Sequence, residues 1–296
     1  MSLTANLRIF SPHPGLYAYY DGRTPGFGYA PYPNWVDDGA LALGIATYAI
    51  VEGDQALVYD THISTAHGQA IRQHLAELGV AHFTVVYSHC HLDHVAGTAA
   101  FEGAEVIANA RTAEHLRRDK DAIEAGTLSG PPAIAPLILP TQTFSGRMDF
   151  RFGSRQVSLI EANIHSDDAT VLWLPDHRIL LAGDTVEDCV TYVDAPEDFA
   201  IHMAELDRLM ALNAQHVLPD HGDEGMLRIG GYNSTLLEAT QSYIRWLLRL
   251  KDDPLQAERA LTDVIGSYLS DGTLRWFAPY EDIHRQNVRR TLALLD

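Results

Sequence analysis

The chain has 296 residues, of which 46% are hydrophobic and 20% charged, and its formal net charge is −18. These values are typical of a globular protein with a full hydrophobic core. They exclude collagen-like and low-complexity chains, and the two cysteines are too few for a disulfide framework. Because so acidic a surface repels nucleic acid, we expect a small-molecule substrate and no nucleic-acid partner.

The sequence also predicts that the protein makes no contact with a membrane. The first ten residues include Asn6 and Arg8 and lack the apolar core of a secretory signal. No apolar run approaches the roughly 18 residues that a membrane-spanning helix needs. We therefore expect a cytoplasmic protein, although a leader removed earlier would leave no trace in this sequence.

Proline, glycine and tyrosine are concentrated near the N-terminus, in residues 12–38. Proline and glycine at this spacing exclude a helix. They predict an ordered loop or arm whose aromatic rings pack against the protein. We expect this arm to pack on its own domain. An arm that reaches a second subunit, and so supports a homodimer, is the alternative.

Strands and helices then alternate along the chain. Short apolar, β-prone runs predict strands, and apolar residues at helical spacing predict helices. A loop rich in proline and glycine at 126–142 interrupts them, and loops of this length are usually functional or mobile. The predicted strands are 43–51, 56–59, 83–87, 106–109, 148–152, 156–161, 170–174, 179–182 and 217–218, and the predicted helices are 65–78, 110–124 and 199–213.

The C-terminal part is predicted to be entirely helical, with helices at 236–250, 255–269 and 283–294. It has too few apolar residues for a core of its own, so we expect it to pack on the preceding domain. The predicted fold is α/β, a four-layer αββα sandwich with a C-terminal helical extension. The predicted division is an N-terminal arm or loop (1–40), a catalytic domain (41–232) and the extension (233–296).

Candidate metal ligands crowd one short segment directly after the strand at 83–87. His89, His91, Asp93 and His94 lie within six residues. Imidazole and carboxylate are ligands that zinc and similar cations accept. In an extended turn His89 and His91 point to the same side, whereas Asp93 and His94 begin the next helix and face a different point. This division predicts two neighbouring metal ions.

Three further residues follow predicted strands and fit as completing ligands. His165 follows the strand at 156–161, Asp184 follows 179–182, and His221 follows 217–218. Side chains at the carboxyl ends of strands in α/β sheets commonly gather into one site. A single histidine after a strand is usually structural, so the prediction depends on all three occurring together with the segment at 89–94.

These motifs resemble those of the metallo-β-lactamase-fold hydrolases, the group that includes glyoxalase II and lactone hydrolases. The resemblance runs from about residue 43 to residue 222, and its ligand motifs are highly specific. It implies one metal held by His89, His91 and His165, and a second held by Asp93, His94 and His221. It also implies that Asp184 bridges the two metals.

The resemblance implies further roles for individual residues. Asp60 resembles the early aspartate of the family that supports the metal-binding turn, although His62 stands where glycine is common. Asp93 would also orient the attacking hydroxide, as the catalytic residue. Apart from the resemblance, Tyr192 and Tyr232 lie downstream of Asp184 and His221 and are candidates for contacting substrate at an oxyanion, with packing as the alternative role for both. Two divalent ions are expected, zinc first, with iron or manganese as alternatives.

The function implied is a dinuclear metal-dependent hydrolase, in which a metal-bridging hydroxide attacks an ester, thioester or lactone carbonyl. True β-lactamases of this fold commonly carry cysteine where Asp184 stands, so aspartate weakens the alternative of a β-lactam amide hydrolase. A phosphodiesterase is a further alternative, but the sequence has no basic substrate arm. The alternative outside the enzymes is a binding protein that the metal stabilises and that catalyses no reaction. We expect residues 12–38, the loop at 126–142 and the helical extension to form the pocket walls.

Overall fold

The first part of the chain forms a seven-stranded sheet. The computed structural model describes residues 3–294, so residues 1, 2, 295 and 296 of the predicted terminal segments lie outside the described residues. The last three strand pairs of this sheet are parallel and the others antiparallel. In spatial and chain order the strands are β1 (Arg8–His13), β2 (Leu16–Asp21), β3 (Ile45–Glu52), β4 (Gln55–Tyr59), β5 (His82–Val86), β6 (Glu105–Asn109) and β7 (Gln142–Phe144).

The second part of the chain forms a five-stranded sheet with the spatial order β12-β11-β10-β9-β8. Its strands are antiparallel except for β11 and β12, which run parallel. The strands are β8 (Arg147–Phe152), β9 (Arg155–Glu161), β10 (Thr170–Leu174), β11 (Ile179–Gly183) and β12 (His216–Pro219).

Helices cover the outer faces of both sheets. The α-helices are α1 (Thr65–Glu77), α2 (Leu92–Val95), α3 (Ala110–Glu124), α4 (Phe199–Met210), α5 (Glu224–Arg228), α6 (Thr235–Arg249), α7 (Leu261–Val264), α8 (Gly266–Ser270) and α9 (Tyr280–Ala293). One π-helical turn (Val36–Leu41) and three 3-10 turns (Thr98–Phe101, Pro196–Asp198 and Pro254–Glu258) complete the regular structure of the described residues. None of the helices in residues 3–294 has the length and continuous apolar character needed to cross a bilayer.

Adjacent residues in the central strands belong to different layers of the core. Leu57 packs in the layer between the two sheets, whereas its neighbour Val58 packs in the outer layer with Ile71 and Leu75 of α1. This follows from strand geometry, because successive side chains point to opposite faces of a sheet. The predicted four-layer αββα sandwich is confirmed. Strands such as β10 and β11 are apolar throughout because both of their faces are covered, whereas the edge strands β1 and β8 have exposed polar residues.

The prediction of a loop or arm over residues 12–38 is wrong in its first part. Pro14 and Gly15 form the turn of a β-hairpin, in which Gly15 has a φ of +70°, and β2 pairs with β3 along its whole length. Pro12 is tolerated because β1 is the edge strand of its sheet. The π-helical turn also begins inside this range, at Val36.

The helix predicted at 255–269 is a 3-10 turn followed by α7 and α8. The backbone is extended at Arg259 and Ala260, which separates the first two pieces, and α8 begins at Gly266. Helical periodicity could not show the break at Gly266, because Leu261, Ile265 and Leu269 keep helical spacing across it. The helices predicted on either side are present as α6 and α9. The division into arm, catalytic domain and extension stays a prediction.

Candidate metal centre

The candidate ligands lie at the carboxyl ends of strands in both sheets. Ser88 and His89 follow β5, Asp184 follows β11 directly, and His221 follows β12. His165 lies in the loop between β9 and β10. Because the two sheets pack face to face, these loops meet along one edge of the sandwich. The structure brings together all seven side chains that the sequence indicated as ligands.

Four of these residues form the first cluster: His89, His91, His165 and Asp184. One potential ligand atom from each lies within 4.8 Å of the others. Nε2 of His165 is 3.0 Å from Nδ1 of His91, and Nε2 of His89 is 3.6 Å from Oδ2 of Asp184. Three imidazoles and a carboxylate at these separations have the composition of a zinc-type site.

The second cluster consists of Asp93, His94 and His221, again with ligand atoms within 4.8 Å of one another. Nε2 of His221 is 3.4 Å from Oδ2 of Asp93. Oδ2 of Asp184 is 3.1 Å from Nε2 of His94 and 3.4 Å from Nε2 of His221, so this oxygen faces both clusters. The same oxygen is 3.8 Å from Nε2 of His165. Its position is that of a shared ligand.

The outer nitrogens of His94, His165 and His221 are each held by a neighbouring group. Nδ1 of His94 is 2.8 Å from Oδ2 of Asp60, whose other oxygen accepts the Ser88 N–H at 2.7 Å. Nδ1 of His165 donates to the carbonyl of Tyr192 at 2.9 Å, and Nδ1 of His221 donates to the carbonyl of Gly44 at 2.7 Å. Such contacts fix the tautomer and the ring orientation that a metal requires.

We expect Asp60→Asn to weaken metal binding by about 10–100-fold, because the amide removes the charge that orients His94 and supports its basicity. Metal titration of the purified variant measures this directly. Asp149→Asn, which changes a half-exposed carboxylate on β8, is the matched control. An Asp60→Asn variant that binds metal as tightly as the unaltered protein would contradict the supporting role of Asp60.

His89 and His165 of the first cluster are neutral in the metal-free protein. Burial lowers the pKa of His89 well below its usual value, and the neighbouring imidazoles of His94 and His91 lower it further. Burial also lowers the pKa of His165 to about 4, although Asp184 opposes this effect. A neutral imidazole has a free lone pair, so both side chains are ready to bind a cation.

The two histidines of the second cluster are protonated in the metal-free protein, because carboxylates lie beside them. Burial alone would lower the pKa of His94 and of His221, but Asp184 and Asp93 raise both well above the usual value. In return, although burial opposes it, His94 and His221 lower the pKa of Asp93 to about 2. The metal-free cluster therefore holds protons on its imidazoles and negative charge on its carboxylates.

Metal binding at the second cluster should therefore release protons. At neutral pH His94 and His221 carry a proton that must leave before the nitrogen can bind a cation, so we expect the apparent affinity to rise with pH. Calorimetric titration at pH 7 in two buffers with different ionisation enthalpies measures the number released. A binding enthalpy that is the same in both buffers would contradict this protonation pattern.

A cavity of ≈ 520 Å³ opens beside the clusters, with His91 and Asp93 in its wall. Polar side chains, including His115, Arg118 and Asp119, line another part of it. Its apolar lining residues are Trp35, Ala40, Leu92, Leu116, Ile123 and Leu128. As expected, residues 12–38 and the loop at 126–142 contribute to the walls. Within the described residues, the helical extension contributes none of the lining, contrary to expectation.

The two tyrosines predicted to contact substrate are engaged elsewhere. The hydroxyl of Tyr232 is buried, donates to Asp188 at 2.7 Å and accepts the Asp223 N–H at 2.8 Å. The hydroxyl of Tyr192 accepts a hydrogen bond from Arg290. Among the described residues, neither tyrosine lines the cavity beside the clusters. These contacts favour the alternative role of packing for Tyr232. The role of Tyr192, whose ring centroid is 6.1 Å from that of His165, stays a prediction.

Sequence reasoning missed Asp220, which is fully buried behind His94. Its Oδ2 is 3.2 Å from Nδ1 of His94, so two carboxyl groups, those of Asp60 and Asp220, face this nitrogen. Burial raises the pKa of Asp220 well above its usual value. The signal was present in the sequence, because Asp220 stands at the end of β12, directly before His221.

The residues present fit a bound metal pair. Within residues 3–294, Nε2 of His89 and Oδ1 of Asp184 are buried and have no hydrogen-bond partner. Buried polar atoms are almost always paired, and an unpaired one costs about 1–3 kcal/mol. Both atoms belong to the candidate ligand clusters, where a cation would satisfy them.

The family model of the metallo-beta-lactamase superfamily matches residues 41–226. This range contains all seven clustered side chains and both sheets from β3 to β12. The chain belongs to the metallo-beta-lactamase superfamily. The family resemblance of the ligand motifs is thereby confirmed.

The curated relatives that match this chain are only distantly similar to it in sequence. The linear primary-alkylsulfatase of Pseudomonas sp. (strain ATCC 19151) is 23% identical over 231 residues, which cover 65% of this chain and 39% of that protein. The 2,4-dinitroanisole O-demethylase subunit alpha of Nocardioides sp. (strain JS1661) is 29% identical over 191 residues, or 60% of this chain and 53% of that protein. The matches thus span about half or less of these relatives.

Solved structures support the superfamily fold. A metallo-beta-lactamase from Pontibacter korlensis superimposes with a TM-score of 0.62 at 18% sequence identity. The similarity covers 81% of this chain and 99% of that chain. At this identity the comparison concerns the fold alone.

Proposed function

We propose that the protein is a dinuclear metal-dependent hydrolase that cleaves a carboxylic ester, thioester or lactone. The observation that carries the proposal is the position of Asp184, whose Oδ2 lies 3.1–3.8 Å from imidazole nitrogens of both clusters. A structural zinc site needs four closed ligands and no shared carboxylate. Two clusters of candidate ligands that share one carboxylate oxygen therefore favour a catalytic pair over a metal-stabilised binding protein.

The proposed ligands divide as the clusters do. His89, His91 and His165 would hold one ion, and Asp93, His94 and His221 the other, with Asp184 shared between them. Two divalent ions bound there would supply hydroxide at neutral pH and polarise a carbonyl group. Histidine and aspartate ligands suit zinc, and iron or manganese are the alternatives.

Asp93 has a second role in this proposal. It lines the cavity, and His94 and His221 hold its pKa at about 2, so it is ionised at neutral pH. An ionised carboxylate at the junction of cavity and clusters can accept a hydrogen bond from the attacking water and orient it towards the substrate carbonyl.

The cavity supports a small substrate with an apolar part. Its volume of ≈ 520 Å³ is within the range of small-molecule sites. The six apolar side chains in its wall would contact the hydrocarbon part of an ester or lactone, while the reacting carbonyl lies near His91 and Asp93. Burial of that hydrocarbon contributes about 25 cal/mol for each Å² removed from water.

A substrate panel on the metal-loaded protein tests the proposal. It contains lactones, carboxylic esters, thioesters, a β-lactam and a phosphodiester, together with an alkyl sulfate and an aryl methyl ether because the relatives are named for such substrates. We expect turnover of at least one carboxylic ester, thioester or lactone, and its loss in Asp93→Asn. Turnover confined to the β-lactam, phosphodiester, sulfate or ether would overturn the proposed substrate class.

A further inference from the structure

The segment that follows Asp184 touches the metal centre twice. The hydroxyl of Thr191 donates to the carbonyl of Asp184 at 2.6 Å. The carbonyl of Tyr192 accepts from Nδ1 of His165 at 2.9 Å. The orientation of two candidate ligands in the first cluster therefore depends on where the backbone of Thr191 and Tyr192 lies.

This segment has no regular structure to hold it in place. In the described chain, residues 185–195 belong to neither a helix nor a strand. Most of its residues are buried nonetheless, Thr191 among them, at 0% exposure. Buried backbone groups outside helices and sheets must find partners elsewhere.

One side chain of helix α9 supplies two of those partners. The amide of Asn287 donates from Nδ2 to the carbonyl of Thr191 and accepts the N–H of Val193 at Oδ1, both at 2.9 Å. The two bonds lie on either side of Tyr192 and fix its peptide groups. Asn287 is itself fully buried, so neither bond competes with water.

Two other side chains of α9 hold the same segment. The hydroxyl of Tyr280 donates to Oε2 of Glu187 at 3.0 Å, and Oε1 of Glu187 accepts the Tyr192 N–H at 3.1 Å. Arg290 donates to the carbonyl of Asp194 at 2.8 Å. Together these contacts connect α9 to the backbone on both sides of Tyr192.

We propose that Asn287 is a positioning residue of the metal centre, which orients His165 and Asp184 through the backbone of residues 191–193. The inference rests on the proposed function, because it takes His165 and Asp184 as metal ligands. Asn287 lies beyond residues 41–226, the range matched by the superfamily model, so this support is a property of the chain's own C-terminal helix. The extension lines none of the described cavity, yet through this contact it shapes the metal centre.

The test compares Asn287→Ala and Asn287→Asp with Arg289→Ala, which changes an exposed residue of the same helix. Metal affinity is measured by competition with a chelator, and the cobalt-substituted proteins are compared by visible absorption, which reports ligand geometry. We expect Asn287→Ala to bind metal about 10–100-fold more weakly and to shift the cobalt bands. Asn287→Asp keeps the acceptor for Val193 but removes the donor to Thr191, so it should also bind metal more weakly.

Thermal unfolding of the metal-free proteins separates positioning from simple packing. If Asn287→Ala is less stable but has unaltered metal affinity and cobalt bands, the residue is structural only and the inference is overturned. Should that variant fail to fold, unchanged affinity and bands in Asn287→Asp overturn the inference in the same way. An unaltered protein that takes up no metal would instead overturn the proposed function, and this inference with it.

Discussion

Replacement of Asp184 by asparagine should lower kcat/KM for any substrate of this protein by at least about 10³-fold. The carboxylate stands between the two ligand clusters, with its Oδ2 3.1 Å from Nε2 of His94 and 3.8 Å from Nε2 of His165. An amide has the same shape but no charge, so it cannot serve two cations. Loss of one metal removes several kcal/mol of transition-state stabilisation, and about 4 kcal/mol corresponds to 10³ in rate.

Metal content should fall together with activity in Asp184→Asn. Elemental analysis of the dialysed variant is expected to find about one ion or fewer per chain, against two in the unaltered protein. Asp149→Asn is again the matched control, because Asp149 is a half-exposed carboxylate on β8 that lies outside the lining of the cavity and outside the candidate ligand clusters. Two bound ions and an activity within about threefold of normal in Asp184→Asn would contradict the shared-ligand assignment.

Removal of metal should abolish activity and lower stability at the same time. An ion that binds only the folded protein stabilises it by about 2.7 kcal/mol when present at a hundred times its Kd, so chelation should lower Tm by several degrees. Activity should decrease by about 10⁴-fold or more, since the metal-free site has no source of hydroxide at neutral pH. Rate assays and thermal unfolding before and after chelation measure both effects.

Adding single metals back to the metal-free protein and measuring its activity identifies the native ion. We expect zinc to restore activity and Tm together, and equal trials with iron and manganese distinguish the alternatives. The same chelator saturated with zinc beforehand provides the control for its non-specific effects, because it cannot take metal from the protein. Full activity in a protein shown by elemental analysis to contain no metal would contradict metal-dependent hydrolysis.

The clustering of the candidate ligands was predictable because four of them are neighbours in the sequence and the other three follow strands. His89, His91, Asp93 and His94 lie within six residues, so their proximity required no knowledge of the fold. His165, Asp184 and His221 are distant in sequence, but each follows an apolar strand, and strand ends meet at one edge of an α/β sheet. The central strands were predictable for a related reason, since runs of apolar β-branched residues predict strands that are covered on both faces.

The features that sequence reasoning missed depend on contacts between distant segments. Whether residues 16–21 form a strand is decided by pairing with β3, which outweighs the local signal of Pro14 and Gly15. The contact of Asn287 with Thr191 and Val193 spans almost a hundred residues, and a single buried asparagine in a helix gives no periodic signal. The engaged hydroxyl of Tyr232 was equally hidden, because its partner Asp188 lies 44 positions away.

The most direct test of the metal pair is anomalous scattering from crystals of the metal-loaded protein, recorded on both sides of the absorption edge of the bound metal. We predict two peaks about 3.5–4 Å apart. One should be surrounded by His89, His91 and His165 and the other by Asp93, His94 and His221, with Asp184 touching both. A single peak, or peaks away from these side chains, would contradict the dinuclear centre.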